Sequence, residues 1–99
     1  MTAAIVVQYR TRADSAAHNQ RLAERVVEEL NARDPGGLRY QVFRLEDGVG
    51  FVHIAVFDGT ADPFGDSCAF AAFHAEFPAR LVGPATVLRA AVVGTYGIE

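Results

Sequence analysis

Ninety-nine residues, 51% apolar and 21% charged, suit one folded domain over residues 1–99 and are too few for two. Net charge is -3 and the nine basic residues, all Arg, are scattered, so nucleic acid is not an expected partner. No apolar run approaches the roughly 20 residues that cross a bilayer, the start lacks a basic n-region, and Cys68 is a lone cysteine, which together read as a cytoplasmic protein away from membranes.

Residues 4–11 alternate Ile5, Val7 and Tyr9 against Val6, Gln8 and Arg10 and read as a strand. Asp14 stands at an N-cap position, and Leu22, Ala23, Val26, Val27 and Leu30 recur at helical spacing across residues 15–33. Arg21, Glu24, Arg25 and Glu28 form the solvated stripe, with opposite charges three residues apart. Asp34-Pro35-Gly36-Gly37 stops the helix. Two apolar strands within residues 38–57 then flank Asp47-Gly48, which predicts a two-residue type I′ turn with both residues at positive φ. Leu38, Tyr40 and Val42 point away from Arg39, Gln41 and Phe43; Phe51, His53, Ala55 and Phe57 point away from Val52, Ile54 and Val56. Residues 58–65 read as a polar loop. A second helical pattern opens near Asp66, with Phe70, Phe73, Phe77 and Leu81 as its buried stripe and a break near Pro78. Residues 85–97 alternate again as a fourth strand.

This order predicts an α+β, ferredoxin-like βαββαβ fold, a four-stranded antiparallel sheet with two helices on one face. The other face would expose Phe43, Phe51, Phe57 and Val93, a larger patch than a monomer tolerates, so a homodimer is expected.

Four segments resemble the dimeric α/β-barrel superfamily, and within it the antibiotic-biosynthesis-monooxygenase-like proteins. They are Ile-Val-Val-Gln-Tyr-Arg at 5–10, Phe-Val-His-Ile-Ala-Val-Phe-Asp at 51–58, Ala-Phe-Ala-Ala-Phe at 69–73 and Ala-Val-Val-Gly-Thr-Tyr-Gly at 91–97. The resemblance implies a homodimer whose sheets close an eight-stranded barrel, with a ligand cavity in each subunit between helices and sheet. It further implies either direct reaction of a polycyclic phenolic substrate with oxygen or haem degradation. The haem-degrading group uses an Asn, a Trp and a His; this chain has no Trp, and Gln8, Phe73 and Arg80 stand where those positions fall. No haem, flavin or metal cofactor is expected.

The space under the helices should be lined by Phe70, Phe73 and Phe77 with Leu22 and Val26. Its floor is either the Tyr9 and Tyr40 set or the Gln8 and His53 set, because a parity error of one residue exchanges them; the resemblance favours Gln8 and His53. The expected ligand-binding residues are Gln8, Tyr40, Phe70, Phe73 and His74. His53 is the acid–base candidate, set against a core histidine satisfied by hydrogen bonds. His18, His53 and His74 lack metal-ligand spacing. Ser67 is not read as a nucleophile elbow, since a loop rather than a strand precedes it. Cys68 is either a dipole-favoured thiolate or an inert buried thiol. Two functions remain: an enzyme that deprotonates a flat aromatic for reaction with oxygen, or a non-catalytic dimer that binds a small hydrophobic molecule or nothing beyond its twin. The missing Trp favours the second.

Overall fold

The computed structural model describes residues 3–34, 36–57, 64, 65 and 67–97. Strand β1 (Ala3–Arg10) leads through a 3₁₀ turn (Ala13–Ser15) into helix α1 (Ala16–Arg33). Strands β2 (Leu38–Arg44) and β3 (Gly50–Phe57) form the hairpin, and helices α2 (Cys68–Ala75) and α3 (Phe77–Arg80) precede β4 (Thr86–Ala91). The sheet order is β2-β3-β1-β4 and each neighbouring pair is antiparallel, the ferredoxin-like α+β arrangement expected. Among the described residues no helix is long and apolar enough to cross a membrane.

Helix α1 buries Ala16, Asn19, Leu22, Ala23, Val26 and Leu30, a stripe repeating every three or four residues. Its start differs from expectation. The Asp14 carboxylate is taken by Arg12 at 3.1 Å, so the 3₁₀ turn forms the entry, and Ser15 at the cap position makes no side-chain cap bond. Its end is as expected: Asp34 takes φ 48° and donates its N–H to the Leu30 carbonyl at 2.7 Å. Arg21, Glu24, Arg25 and Glu28 are exposed but form no mutual ion pairs; the described ion pair on α1 joins Arg33 to Glu29 at 3.6 Å.

The hairpin register centres on Asp47 and Gly48, with Arg44 opposite Phe51. The turn is nevertheless not type I′. Leu45 N–H donates to the Gly50 carbonyl at 2.8 Å and closes a four-residue loop, in which Gly48 takes φ 81° and Asp47 does not turn positive. The reason is the Asp47 carboxylate, which accepts from the N–H groups of Val49 at 3.0 Å and Gly50 at 2.8 Å. A four-residue loop preserves the same strand pairing as a two-residue loop, so the register survives the change.

Helix α2 is capped by Ser67, whose Oγ accepts from Phe70 N–H at 2.9 Å; Asp66, where the pattern opens, lies outside the described residues. The break falls at Glu76, and Pro78 sits in the first turn of α3, where its missing N–H costs nothing. Leu81 lies beyond the helix in extended backbone, bridged to Thr11. Strand β4 ends at Ala91, opposite Ala3 of β1 and short of the expected residue 97; residues 92–97 carry no strand pairing.

Cross-strand partners share a face. Tyr9 opposes Phe51, Val7 opposes His53, and Ile5 and Tyr40 both oppose Ala55. This is the face that packs on the helices, with Tyr9, Val26, Phe51 and Phe73 in the core. Two expectations are corrected. Phe51 lies in that core and Phe57 shares its side, so neither belongs to the uncovered face. Gln8 opposes Val52 and is exposed on the other side, among Val6, Phe43, Ile54 and Leu88.

Candidate functional site

A cavity of about 710 Å³ opens between α2, α3 and the sheet. Tyr9, Tyr40 and His53 rise from its floor, Phe70, Phe73 and Phe77 line its roof, and His74 stands beside them. The aromatic spacing of α2 explains the roof, since residues 70, 73, 74 and 77 lie on one side of successive turns. Phe73 meets the His53 ring edge to face at 5.4 Å, and Tyr9 stacks on Phe51 at 5.6 Å. Phe64 stacks on Phe70 at 4.5 Å, and His74 lies 4.3 Å from the same ring. Arg89 from β4 also lines the wall.

The polar groups form one chain. Tyr40 Oη lies 2.7 Å from His53 Nδ1, and Tyr9 Oη lies 2.6 Å from His53 Nε2. Asn19 donates from Nδ2 to Tyr9 Oη at 2.8 Å, and Arg80 donates from Nε to Asn19 Oδ1 at 2.9 Å. A second Arg80 nitrogen donates to the Phe73 carbonyl at 2.7 Å, and the guanidinium lies over the Phe73 and Phe77 rings at 4.9 and 5.4 Å. Tyr9, Asn19, His53 and Arg80 are all buried, so each depends on these partners.

Burial sets the protonation states. His53 is pushed down to about 4, first by desolvation and then by nearby His74, and is neutral at pH 7. Desolvation raises Tyr9 to about 12 despite the Asn19 hydrogen bond, and raises Tyr40 as well, so both hold their protons. Burial lowers Arg80 from its ordinary value, opposed by the Tyr9 and Glu76 interactions. The resting cavity thus offers hydroxyls and a neutral imidazole against an aromatic roof, a combination suited to orienting an oxygen on a flat ring.

His53, Tyr40, Phe70, Phe73 and His74, all singled out in the sequence, line this cavity together; Gln8 does not. The two alternative floors were a false choice, because Tyr9, Tyr40 and His53 share one face. Sequence reasoning missed Asn19, a polar residue on the apolar stripe of α1 between Ala16 and Leu22, and that position was the available signal. It placed Arg80 only where a haem ligand falls and missed its part in this hydrogen-bonded chain, because nothing local distinguishes it from an exposed arginine. Cys68 is exposed at the start of α2. Among the described residues no cluster of three or more His, Cys, Asp or Glu could hold a metal.

No family model matches the chain, and no curated protein matches it. Solved structures do. An antibiotic biosynthesis monooxygenase shares 19% identity over 93% of this chain and 99% of its own, with a TM-score of 0.76. A variant of SnoaB, a cofactor-independent oxygenase from Streptomyces nogalater, shares 19% identity over 98% of each chain at a TM-score of 0.69. A monooxygenase from the ActVA-Orf6 gene of Streptomyces coelicolor, in complex with Nanaomycin D, shares 19% identity over 98% of this chain and 92% of its own, also at 0.69. At these identities the likeness is one of fold: the chain has the four-stranded, ferredoxin-like α+β fold of the antibiotic-biosynthesis-monooxygenase-like structures.

Proposed function

We propose that the cavity binds a flat aromatic compound bearing a carbonyl or phenolic oxygen, and that the protein is a cofactor-independent monooxygenase working as a homodimer. The observation that carries this reading is the Tyr9, His53 and Tyr40 chain, bonded at 2.6 and 2.7 Å and opening into an aromatic cavity. The structural neighbours support it, one being a cofactor-independent oxygenase and another holding Nanaomycin D.

An activated ring CH₂ conjugated with an oxygen substituent loses a proton, which ends in the product water, and the resulting anion delivers its electrons to O₂. One oxygen atom stays as a new carbonyl and the other leaves with the two hydrogens of that carbon as water, so the substrate itself is the reductant. The protein's part is to exclude water and stabilise negative charge on the substrate oxygen. Tyr40, held by His53, is the donor placed for this. Removing one such donor commonly lowers kcat by about 10²–10³-fold.

Anthrone is a suitable probe, measured with an oxygen electrode. The expected result is one O₂ consumed per anthrone, with Tyr40→Phe about 10²-fold slower while anthrone still binds. If anthrone binds but oxygen uptake stays at the rate in buffer, the enzyme reading fails. What then stands is a second reading, a non-catalytic binder of small aromatic molecules. One observation favours it already: His53, Tyr9 and Tyr40 all titrate far from neutral pH in the unliganded protein, which leaves them poor proton acceptors at rest.

A further inference from the structure

The hydrogen-bonded chain on the cavity floor has a direction, and that direction originates outside the cavity. Arg80 can only donate, so its 2.9 Å contact with Asn19 fixes Oδ1 on the arginine side and turns Nδ2 towards Tyr9. Tyr9 Oη accepts from that amide at 2.8 Å, and the acceptor for its own proton is His53 Nε2 at 2.6 Å. A neutral His53 then carries its proton on Nδ1 and donates it to Tyr40 Oη at 2.7 Å. The opposite tautomer would aim both Asn19 and His53 donors at Tyr9 and leave the Tyr9 O–H without a described acceptor at a site only 5% exposed, a costly omission. In the favoured direction the hydrogen left over is that of Tyr40, which lines the cavity.

We propose that Asn19 and Arg80 are positioning residues that polarise this chain, so that the site selects ligands presenting a hydrogen-bond acceptor, a ring carbonyl or phenolate oxygen, over ligands presenting a donor. The selectivity rests on the cavity being the ligand site proposed above. The polarity does not, being a property of the free protein.

The chain can be read by ¹⁵N NMR of the histidine side chains in the unliganded protein. The expected spectrum has His53 protonated at Nδ1 and bare at Nε2; protonation at Nε2 overturns the proposal. Asn19→Asp supplies a carboxylate that accepts from both Arg80 and the Tyr9 O–H, which should reverse the chain and move the His53 proton to Nε2. Retention of the Nδ1 proton in folded Asn19→Asp overturns the positioning role. The wild-type spectrum needs no variant, so a misfolded variant leaves that test intact, and Asn19→Ser, with a rotatable hydroxyl, then serves to look for a mixture of tautomers in place of one. For the ligand, 9-fluorenone and carbazole are flat three-ring probes of similar shape, one offering a carbonyl and the other an N–H. Wild-type protein should bind fluorenone roughly fivefold more tightly, the effect of about one net hydrogen bond, and Asn19→Asp should reverse the order. Equal binding, or binding of neither probe, overturns the selectivity. Failure to oxidise anthrone while the tautomer and the probe preference hold overturns the enzyme reading alone.

Discussion

His53 carries an energetic signature that a surface histidine would lack. Its folded value, about 4, lies below the ordinary 6.5, so between these values the unfolded chain binds a proton that the folded chain does not. The associated stability is therefore fully present above about pH 6.5 and is lost as pH falls towards 4. At 1.36 kcal/mol per unit, the loss is roughly 3 kcal/mol. Asp14, Asp47 and Glu29 are also held below the usual carboxylate range by their hydrogen bonds, but they titrate alike in wild type and in His53→Gln and drop out of the difference. Urea unfolding of both proteins at pH 7 and pH 4.5 checks this. Wild type should lose the larger share of its stability on acidification, and parallel losses would mean that His53 is not buried as described.

At the scale of elements, the hairpin offers a test in which one carboxylate does several jobs. Asp47 accepts from two loop N–H groups and pairs with Arg10 at 2.8 Å, though that pair is exposed and adds little. Asp47→Ala should cost roughly 1–2 kcal/mol through the two unmet loop donors. Gly48→Ala should cost about 1 kcal/mol for a different reason: its Cβ has room, with Arg44 no nearer than 4.0 Å, but φ 81° disfavours any side chain. Thermal unfolding of both variants checks the pair, and a neutral Gly48→Ala would contradict the loop geometry. The hairpin and its register were legible because alternation and an Asp-Gly signal are local, whereas the turn type was not, since the Asp47 side-chain bonds to Val49 and Gly50 reshape the loop. Strand faces were not, because they depend on cross-strand register. Once β1 pairs Tyr9 with Phe51, Tyr9 and His53 must share a side and Gln8 must leave it, but no window of sequence contains that pairing. Asn19 and Arg80, 61 residues apart, meet only because α2 packs on α1 and α3 follows α2, which periodicity does not report. The legible part of the site was thus the aromatic roof carried by one helix, together with His53 and Tyr40.

For the whole molecule, both helical layers lie on one side of the sheet, so the other side needs a cover. Val6, Val52, Ile54 and Val56 in the two central strands remain half-exposed there, while Phe43 and Leu88 on the outer strands are 44% and 48% exposed. Beyond β4, and outside the sheet pairing, Val93 and Tyr96 are almost fully exposed. A second copy of the chain is the cover we propose, since an isologous pairing of two such faces brings apolar rows from both protomers together. Obligate interfaces of this kind bury roughly 2,000 Å² or more, which ties folding to association. Sedimentation equilibrium at micromolar concentration should therefore give a dimer, and the unfolding temperature should rise with protein concentration. Ile54→Arg places a charge at the middle of the face and points away from the cavity, because Ile54 pairs with Val6 and Gln41 on the uncovered side. The expected outcome is a monomer, or a markedly weakened dimer, of lower stability. A wild-type monomer at those concentrations, with an unfolding temperature indifferent to dilution and to Ile54→Arg, would show that this face is stable in water and that the cavity belongs to a single chain.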